Sequence, residues 1–302
     1  MKKKLRFTVI ILTFSIVFIY AGLSIYFAHS IAKPDTLSLQ EEEKWEKDHS
    51  LWNDFDKLEK VDFQVKGYQN YPLNAVLVPA KEKSDKYVIV SHGFTSNRNG
   101  SAKYVDVYRS LGFNTIIYDV RGHGKNTKVP VTLGNVESAD LAKIIEYVYK
   151  RFGSDITLGL HGESMGSSIS LSVLAKTQKL KFVVADCGFT NLYDLIKGGY
   201  QNYHLTPLIH GVNFVMKHWY NYDMKDTSAI SAVKNNRVPI YFIHGEEDTF
   251  IPPKNSKDLF DANPSYDELY LVKKAGHANS REVLGLEEYT NLIRGFLERI
   301  DK

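Results

Sequence analysis

The sequence predicts an α/β domain built on one largely parallel, doubly wound β-sheet. From residue 61 to residue 300, short runs rich in β-branched residues alternate with longer segments of helical periodicity. The alternation is continuous, without an internal repeat or a linker that would divide it. Of the 302 residues 43% are hydrophobic, which is ordinary for a folded protein and excludes the disordered, collagen-like and low-complexity classes.

Eight segments have the composition of strands, a number that suits one sheet: 61–65, 73–78, 87–91, 114–119, 156–161, 182–186, 239–244 and 268–272. Helices are predicted between them at 102–110, 138–151, 165–175, 256–262 and 286–300. In the segment 138–151, apolar residues recur at helical spacing and are expected to face the sheet: Leu141, Ile144, Ile145, Val148 and Tyr149.

Residues 1–33 are predicted to form a membrane anchor or a signal segment. Four basic residues at positions 2–6 precede the segment 7–28, which carries no charge. These 22 residues, at about 1.5 Å each, can cross a hydrocarbon core of about 30 Å. A secretory apolar region is usually about 7 to 15 residues long, which favours an uncleaved anchor, but small residues at 30–32 leave signal cleavage open. In either case the basic cluster predicts that the remaining chain is exported.

The charge distribution argues against nucleic-acid binding. Five of the 38 Lys plus Arg residues lie in the first 33 positions, and the other 33 are balanced by 35 Asp plus Glu. Nucleic-acid binders concentrate basic residues on their folded part, which this chain does not do. The single cysteine, Cys187, excludes an intramolecular disulfide framework and a cysteine-based metal cluster. We expect it to be a small packed residue.

Residues 34–60 are predicted to form a charged collar or stalk between the N-terminal segment and the domain. Acidic and basic residues crowd the segment 41–48 around Trp45, with Trp52 close behind. A solvated helix whose tryptophans pack on the body is expected. Contact of the tryptophans with the membrane interface is the alternative.

Residues 162–166, with the sequence Gly-Glu-Ser-Met-Gly, are the strongest functional signal. They follow the predicted strand 156–161 and precede the helical run 167–175. A serine on such a strand-to-helix turn is held out over the sheet edge at the positive end of the helix. The flanking glycines avoid clashes where the backbone folds back. We therefore predict that Ser164 is a nucleophile; the alternative is a glycine-rich connection with an incidental serine.

A serine nucleophile requires a histidine base and a carboxylate that orients it. His277 follows the last predicted strand and Asp248 follows the strand before it, so both loops can converge above Ser164. For the carboxylate, Asp186 at the end of the strand 182–186 is the main rival. The two glutamates that precede Asp248 are expected to have other roles.

Acyl transfer also requires hydrogen-bond donors for the oxyanion. The backbone N–H of Phe94, in the loop after the strand 87–91, and that of Met165 are predicted to be these donors. The alternative for His92 and Gly93 is a simple strand-terminating turn.

Together these motifs resemble the α/β-hydrolase superfamily, in particular the exported or membrane-anchored bacterial serine hydrolases described as esterases or serine aminopeptidase-like proteins. The resemblance covers about residues 61–300 and rests on the motifs at 92–94, 119–124, 162–166, 248–252 and 276–277. It implies an eight-stranded sheet, a triad of Ser164, His277 and Asp248, and no metal or organic cofactor. It also implies that 119–124 is chiefly a structural turn, so Arg121 and His123 are expected to be scaffold residues.

About fifty residues between the sixth and seventh predicted strands are not needed for the sheet. In the superfamily a lid or cap is usual there, so we expect a cap at about 187–236, with 198–199 as a possible hinge or helix end. Its aromatic side chains could line an acyl pocket or form the cap's own small core. These residues are Phe189, Tyr193, Tyr200, Tyr203, Phe214, Trp219, Tyr220 and Tyr222.

The sequence thus predicts a serine hydrolase domain at 61–302, first of all a carboxylesterase for small to medium acyl or lipid-like esters at the outer face of the cell membrane. A peptidase or amidase of the same fold and a non-catalytic cell-surface binding module stay open, as does secretion after signal cleavage. The expected partners are a small-molecule ester or acyl substrate and the membrane. The sequence leaves the oligomeric state open.

Overall fold

The computed structural model describes residues 2–302, and one eight-stranded sheet lies at its centre. The spatial strand order is β1-β2-β4-β3-β5-β6-β7-β8. The strands are β1 (Val61–Lys66), β2 (Pro72–Val78), β3 (Lys86–Ser91), β4 (Asn114–Tyr118), β5 (Thr157–Glu163), β6 (Phe182–Asp186), β7 (Ile240–Gly245) and β8 (Asp267–Val272). The pairings β1–β2 and β2–β4 are antiparallel, and the later ones are parallel. The eight predicted strands are confirmed.

Helices lie on both faces of this sheet, and two more precede its first strand in the chain. They are α1 (Lys2–Ala32), α2 (Leu39–Asp48), α3 (Val105–Ser110), α4 (Asn135–Phe152), α5 (Met165–Ser172), α6 (Leu192–Asn202), α7 (Leu208–Trp219), α8 (Ala229–Val233), α9 (Lys254–Ala262) and α10 (Ser280–Ile300). The predicted helix 102–110 is in part a 3₁₀ helix, Arg98–Tyr104, that runs into α3. Helix α4 begins three residues earlier than predicted because the Glu137 carboxylate accepts a hydrogen bond from the Gly134 N–H and closes its first turn.

Both faces of the sheet are covered by apolar packing. In β3, Ile89 belongs to the core on one face, whereas Val88 and Val90 belong to the core on the other. The alternation follows from the two-residue period of a strand. Four of the five apolar residues predicted to face the sheet from α4 are buried in the first core: Leu141, Ile144, Ile145 and Val148. The fold is therefore a three-layer α/β arrangement, as predicted.

The collar lies against the domain instead of extending from it as a stalk. Helix α2 begins with a capping box in which Ser38 Oγ accepts from the Glu41 N–H and the Glu41 carboxylate accepts from the Ser38 N–H. Trp52 is buried against the body, as expected, while Trp45 is 42% exposed. The expectation of a solvated charged helix holds for only part of α2, because two of its glutamates face inward and are buried, Glu42 and Glu46.

The insertion between β6 and β7 folds into helices α6, α7 and α8. The pair 198–199 lies inside α6, so it does not end a helix. The aromatic side chains differ in burial: Phe189 and Tyr222 are buried, whereas Tyr203, Phe214 and Trp219 are exposed. The two buried rings therefore belong to the core on one face of the sheet and not to a separate core of the insertion. A cap that closes over the nucleophile stays a prediction.

Helix α1 is long and apolar enough to cross a membrane. Most of its large apolar side chains are exposed, unlike those of a core helix, and its position near the N-terminus is compatible with an anchor or a signal segment. Its second half packs against α7, where Ser24 and Ala28 are buried.

Candidate active site

The turn between β5 and α5 places Ser164 at the carboxyl edge of the sheet. Ser164 has φ 55° and ψ −118°, a left-handed conformation that side chains rarely adopt, and its N–H donates to the Asp186 carbonyl at 2.9 Å. A Cβ atom on Gly162 would lie 2.2 Å from the Gly166 carbonyl oxygen, and one on Gly166 would lie 2.0 Å from that of Ser91. The motif therefore needs both glycines because backbone segments approach too closely for any side chain.

Three side chains predicted to act together lie in one hydrogen-bonded chain. Ser164 Oγ is 2.9 Å from His277 Nε2, and His277 Nδ1 is 2.7 Å from Asp248 Oδ2. An ionised carboxylate can only accept, so the His277 Nδ1–H donates to Asp248 and Nε2 is left to accept the Ser164 hydroxyl proton. His277 lies in the loop after β8 and Asp248 in the loop after β7. The geometry is that required for activating a serine hydroxyl.

The Asp248 carboxylate is buried and held by four groups. Oδ1 accepts from the Phe250 and Ile251 N–H groups at 2.9 and 2.8 Å, and Oδ2 lies 3.2 Å from His244 Nε2 as well as beside His277. Burial raises the pKa of Asp248, but the hydrogen bonds from His244 and His277 and the backbone N–H groups hold that pKa below its ordinary value. The carboxylate is therefore ionised at neutral pH.

His244 is a residue that the sequence reasoning missed. It is fully buried in β7, four residues before Asp248. Its Nε2 lies 2.7 Å from the Ile251 carbonyl, which can only accept, so Nε2 carries the proton and Nδ1 accepts from Ser256 Oγ at 2.7 Å. The same Nε2–H also faces Asp248. A histidine directly at the end of a strand that precedes a candidate acid was the available signal.

The rival carboxylates do not reach His277. Asp186 accepts hydrogen bonds from Ser280 Oγ at 3.1 Å and from Tyr289 Oη at 2.9 Å, and burial raises its pKa to about 6. The two glutamates that precede Asp248 are exposed. Of the four acids considered, the one hydrogen-bonded to His277 is Asp248.

The loop after β3 lies directly beside the nucleophile. A Cβ atom on Gly93 would be 3.6 Å from Ser164 Cβ. The N–H groups of Phe94 and Met165 donate to no partner among residues 2–302, which leaves both free for a substrate oxygen. Their action as an oxyanion hole stays a prediction.

An exposed aromatic ring stands next to the histidine. Phe250 is 65% exposed, and its ring centroid is 4.9 Å from that of His277. An apolar ring at this position can contact an acyl group or a leaving group. The sequence analysis did not single it out, because a lone exposed Phe in a loop has no distinguishing pattern.

Arg121 and His123 occupy the structural places expected for them. Arg121 makes two 2.7 Å contacts to the Asp140 carboxylate. Burial lowers the pKa of His123 to about 3, so that ring is neutral. His92 Nε2 accepts from the Val120 N–H at 2.9 Å and ties the loop after β3 to the turn after β4.

One group of metal-ligand side-chain types lies close together within the part of the chain that the structure describes: Cys187, Asp248 and His277. Two of its members are already hydrogen-bonded to each other. Burial raises the pKa of the Cys187 thiol, which disfavours the thiolate that a metal would require. This grouping is therefore a poor metal site.

Beneath Ser164 lies a buried charged cluster that includes the collar. Lys103 Nζ is 2.7 Å from Glu163 Oε2. Glu42 and Glu46 approach the same region from α2, and each has one carboxylate oxygen without a partner in the described residues. Burial raises the pKa of Glu42 to about 7 and that of Glu46 to about 8. The two carboxyl groups are thus protonated below these values.

We expect the double substitution Glu42→Gln and Glu46→Gln to reduce the pH dependence of stability. In the unfolded chain both carboxyl groups titrate near pH 4.5, whereas the folded chain keeps them protonated up to about pH 7 to 8. The free energy of unfolding is therefore highest below pH 4.5 and falls as the pH rises to about 7 to 8. One pKa unit corresponds to about 1.4 kcal/mol. Between pH 5 and pH 8, the wild-type free energy of unfolding should therefore fall by at least about 2 kcal/mol relative to the variant.

Urea unfolding at the two pH values measures this difference. Glu43→Gln, on the more exposed side of the same helix, is the matched control and should follow the wild type. An identical pH dependence in the wild type and the double variant would contradict the prediction.

Comparison with known proteins agrees with the fold. The family model described as the prolyl oligopeptidase family matches residues 100–299. The chain belongs to the prolyl oligopeptidase family. Relatives of this family member include YqkD of Bacillus subtilis, an uncharacterized protein that is 26% identical over 258 residues and covers 84% of each chain. A lysophosphatidylserine lipase, ABHD12 of Danio rerio, is 22% identical over 60% of this chain and 48% of its own length.

Solved structures place this prolyl oligopeptidase family member in the α/β-hydrolase fold. An esterase of Pyrococcus furiosus, Pf2001, superposes with a TM-score of 0.65 at 22% identity and covers 84% of this chain and 93% of its own. A puromycin hydrolase superposes with a TM-score of 0.62 at 17% identity, over 80% of this chain and 40% of its own. The predicted fold and the coarser functional prediction, a hydrolase of the α/β-hydrolase superfamily, are confirmed.

Proposed function

We propose that the protein is a serine hydrolase that cleaves carboxylic esters through an acyl-enzyme intermediate. The observation that carries the proposal is the continuous chain of contacts from Ser164 Oγ through His277 to Asp248, at 2.9 and 2.7 Å. The reaction needs a particular protonation state of each member. The hydroxyl keeps its proton until attack, the imidazole Nε2 is free to accept it, and the carboxylate is ionised.

In the first half of the reaction, Ser164 Oγ attacks the substrate carbonyl and its proton passes to His277 Nε2. The developing oxyanion accepts hydrogen bonds from the Phe94 and Met165 N–H groups, which lack other partners. His277 then gives the proton to the alcohol leaving group, and the acyl group stays on Ser164. In the second half, His277 takes a proton from water, the hydroxide attacks the acyl carbonyl, and the proton returns to Ser164 as the acid leaves.

The substrate we propose is a lipid-like ester, which the protein would hydrolyse at the outer face of the membrane in which α1 anchors it. The linker after α1 contacts the loop that holds Phe94: the Leu37 N–H donates to the Thr95 carbonyl at 2.8 Å. The six residues from Ala32 to Leu37 span at most about 18 Å. The Thr95 carbonyl, in the loop that holds Phe94, thus lies within about 20 Å of the end of α1. Among its relatives, the lysophosphatidylserine lipase acts on a lipid, which is in keeping with this proposal.

A peptidase is the second candidate because the matching family is named for oligopeptidases. The same three side chains can cleave an amide. A peptidase, however, has to fix a peptide chain, whereas the side chain seen beside His277 is the apolar ring of Phe250. This favours the ester.

The deciding experiment compares p-nitrophenyl esters of two to sixteen carbons with aminoacyl p-nitroanilides on the purified full chain in detergent. We expect ester hydrolysis with kcat/KM rising beyond about eight carbons, and slower anilide hydrolysis. A peak at two to four carbons would overturn the lipid-like substrate. Preference for anilides would overturn the ester, and hydrolysis of neither class would favour a binding module.

A further inference from the structure

We propose that the insertion between β6 and β7 is a second membrane contact, which enters the outer leaflet of the bilayer that α1 crosses. The contact would be made by the docking surface, which we define as the exposed apolar residues Tyr203, Leu205, Phe214 and Trp219. The inference rests on the membrane anchor of the proposed function but not on the reaction. Its occupant is the lipid bilayer itself.

Helix α7 runs alongside the second half of α1 in the same direction. Tyr20 Oη donates to the Pro207 carbonyl at 2.9 Å, and His29 Nδ1 lies 2.9 Å from Tyr220 Oη. Between these two contacts the helices are close enough that a Cβ atom on Gly211 would lie 2.1 Å from Ser24 Oγ. The start of α7 is therefore level with Tyr20, and its end is level with His29.

The length of α1 sets the depth of these contacts. Crossing a core of about 30 Å takes about 20 residues, so a span that begins at Phe7 reaches the outer boundary near Tyr26. Residues 7–20 alone would cover only about 21 Å. The contact of Tyr20 with Pro207 thus lies about 9 Å below the outer edge of the hydrocarbon.

Raising the insertion clear of the lipid would require moving α1 outward by the same distance. That movement would pull the basic residues at positions 2–6 into the hydrocarbon, which is unfavourable for charged side chains. An insertion that lies about 5 to 10 Å deep in the boundary region, as interfacial helices do, keeps its contacts with α1 and leaves the basic residues at positions 2–6 outside the hydrocarbon.

The composition of the docking surface fits this depth. Tyr203 and Leu205 come just before Pro207, the deep contact, and are 76% and 37% exposed. Phe214 follows Gly211 by three residues, about one helical turn, and is 63% exposed, so it lies beside the contact with α1 and not within it. Trp219, also 63% exposed, is next to Tyr220, which makes the shallow contact with His29. Indole rings are favoured at membrane interfaces, which suits this depth.

The charges of the insertion are compatible with a lipid surface. Residues 195–222 contain two lysines and three histidines but no aspartate or glutamate. Of the two lysines, Lys217 pairs with Asp223 at the edge of this segment. No carboxylate in this segment would repel anionic headgroups, and the apolar side chains continue the exposed apolar surface of α1.

Tryptophan quenching by brominated lipid tests the proposal on the full chain. The protein is reconstituted in vesicles of phosphatidylcholine and phosphatidylglycerol at 3:1, with or without bromine at carbons 6 and 7 of the phosphatidylcholine chain. We expect brominated vesicles to lower the wild-type emission. Trp219→Phe should remove most of this decrease, and Trp45→Phe, which removes the exposed tryptophan of the collar, should preserve it. Equal emission in the two vesicles, or a decrease that persists in Trp219→Phe, would overturn the proposal.

A second variant tests the depth order. Leu205→Trp in the Trp219→Phe background should be quenched more strongly by bromine at carbons 11 and 12, relative to carbons 6 and 7, than Trp219 is. The reverse order would overturn the orientation inferred from α1 and α7.

Flotation and ester hydrolysis in the same samples separate the two proposals. A protein that fails to float with the vesicles overturns the anchor and the docking together. A protein that floats, hydrolyses p-nitrophenyl ester and shows no quenching overturns the docking alone. Quenching without hydrolysis supports the docking and overturns the esterase.

Discussion

Replacing Ser164 with alanine is expected to lower kcat for ester hydrolysis by about 10⁶ and to abolish covalent labelling by a fluorophosphonate probe. The hydroxyl is the one group in the chain of Ser164, His277 and Asp248 that can form the acyl bond. Its loss leaves only binding and the free N–H groups beside it, and these sustain a residual rate about 10³- to 10⁴-fold above that of water. Stopped assays at high enzyme concentration and gel fluorescence of the labelled protein measure both quantities.

Ser170→Ala is the matched control for this substitution. Ser170 lies in the same helix, α5, is fully buried, and its hydroxyl has no hydrogen-bond partner in the described residues. Its removal should leave kcat within about threefold of the wild type and preserve labelling. Labelling that persists in Ser164→Ala would refute the nucleophile, and an equal loss in both variants would show that the effect comes from disturbance of α5.

The sheet could be predicted from the sequence because its signals are local. Each strand is a short run of β-branched residues, and the turn at 162–166 carries its own constraint: its two glycines are needed where other backbone segments come within 2.2 Å of the place of a Cβ atom. The order of Ser164, Asp248 and His277 after successive strands was also readable, because parallel strands end at one edge.

Contacts between distant segments could not be predicted in the same way. The position of His244 at the end of a predicted strand was readable, but its contacts with Asp248 and Ile251 depend on how β7 and the following loop pack. Glu42 and Glu46 belong to a helix that is charged on most of its surface, and nothing in its sequence distinguishes the two that become buried. The contact of α1 with α7 joins residues almost 190 positions apart. Burial and pairing of this kind depend on the whole fold.

Asp248→Asn is expected to lower kcat by about 10⁴ with little effect on KM. The N–H groups of Phe250 and Ile251 need an oxygen acceptor, so the new amide oxygen should face them and its NH₂ should face His277. Nδ1 of His277 must then accept, which places the imidazole proton on Nε2. In that tautomer Nε2 cannot take the proton of Ser164. Steady-state kinetics on a p-nitrophenyl ester measures the loss, and ¹⁵N NMR of the histidine measures the tautomer.

Asp186→Asn decides between the two carboxylates, because it makes the same chemical change in a buried acid close to the site. Its partners are the hydroxyls of Ser280 and Tyr289, which can donate or accept and therefore can adapt to an amide. We expect kcat to fall by no more than about tenfold and the tautomer of His277 to be unchanged. A larger loss of kcat in Asp186→Asn than in Asp248→Asn would reverse the assignment. The tautomer then separates a catalytic effect from a structural one, because loosened packing around Ser164 lowers kcat without moving the imidazole proton.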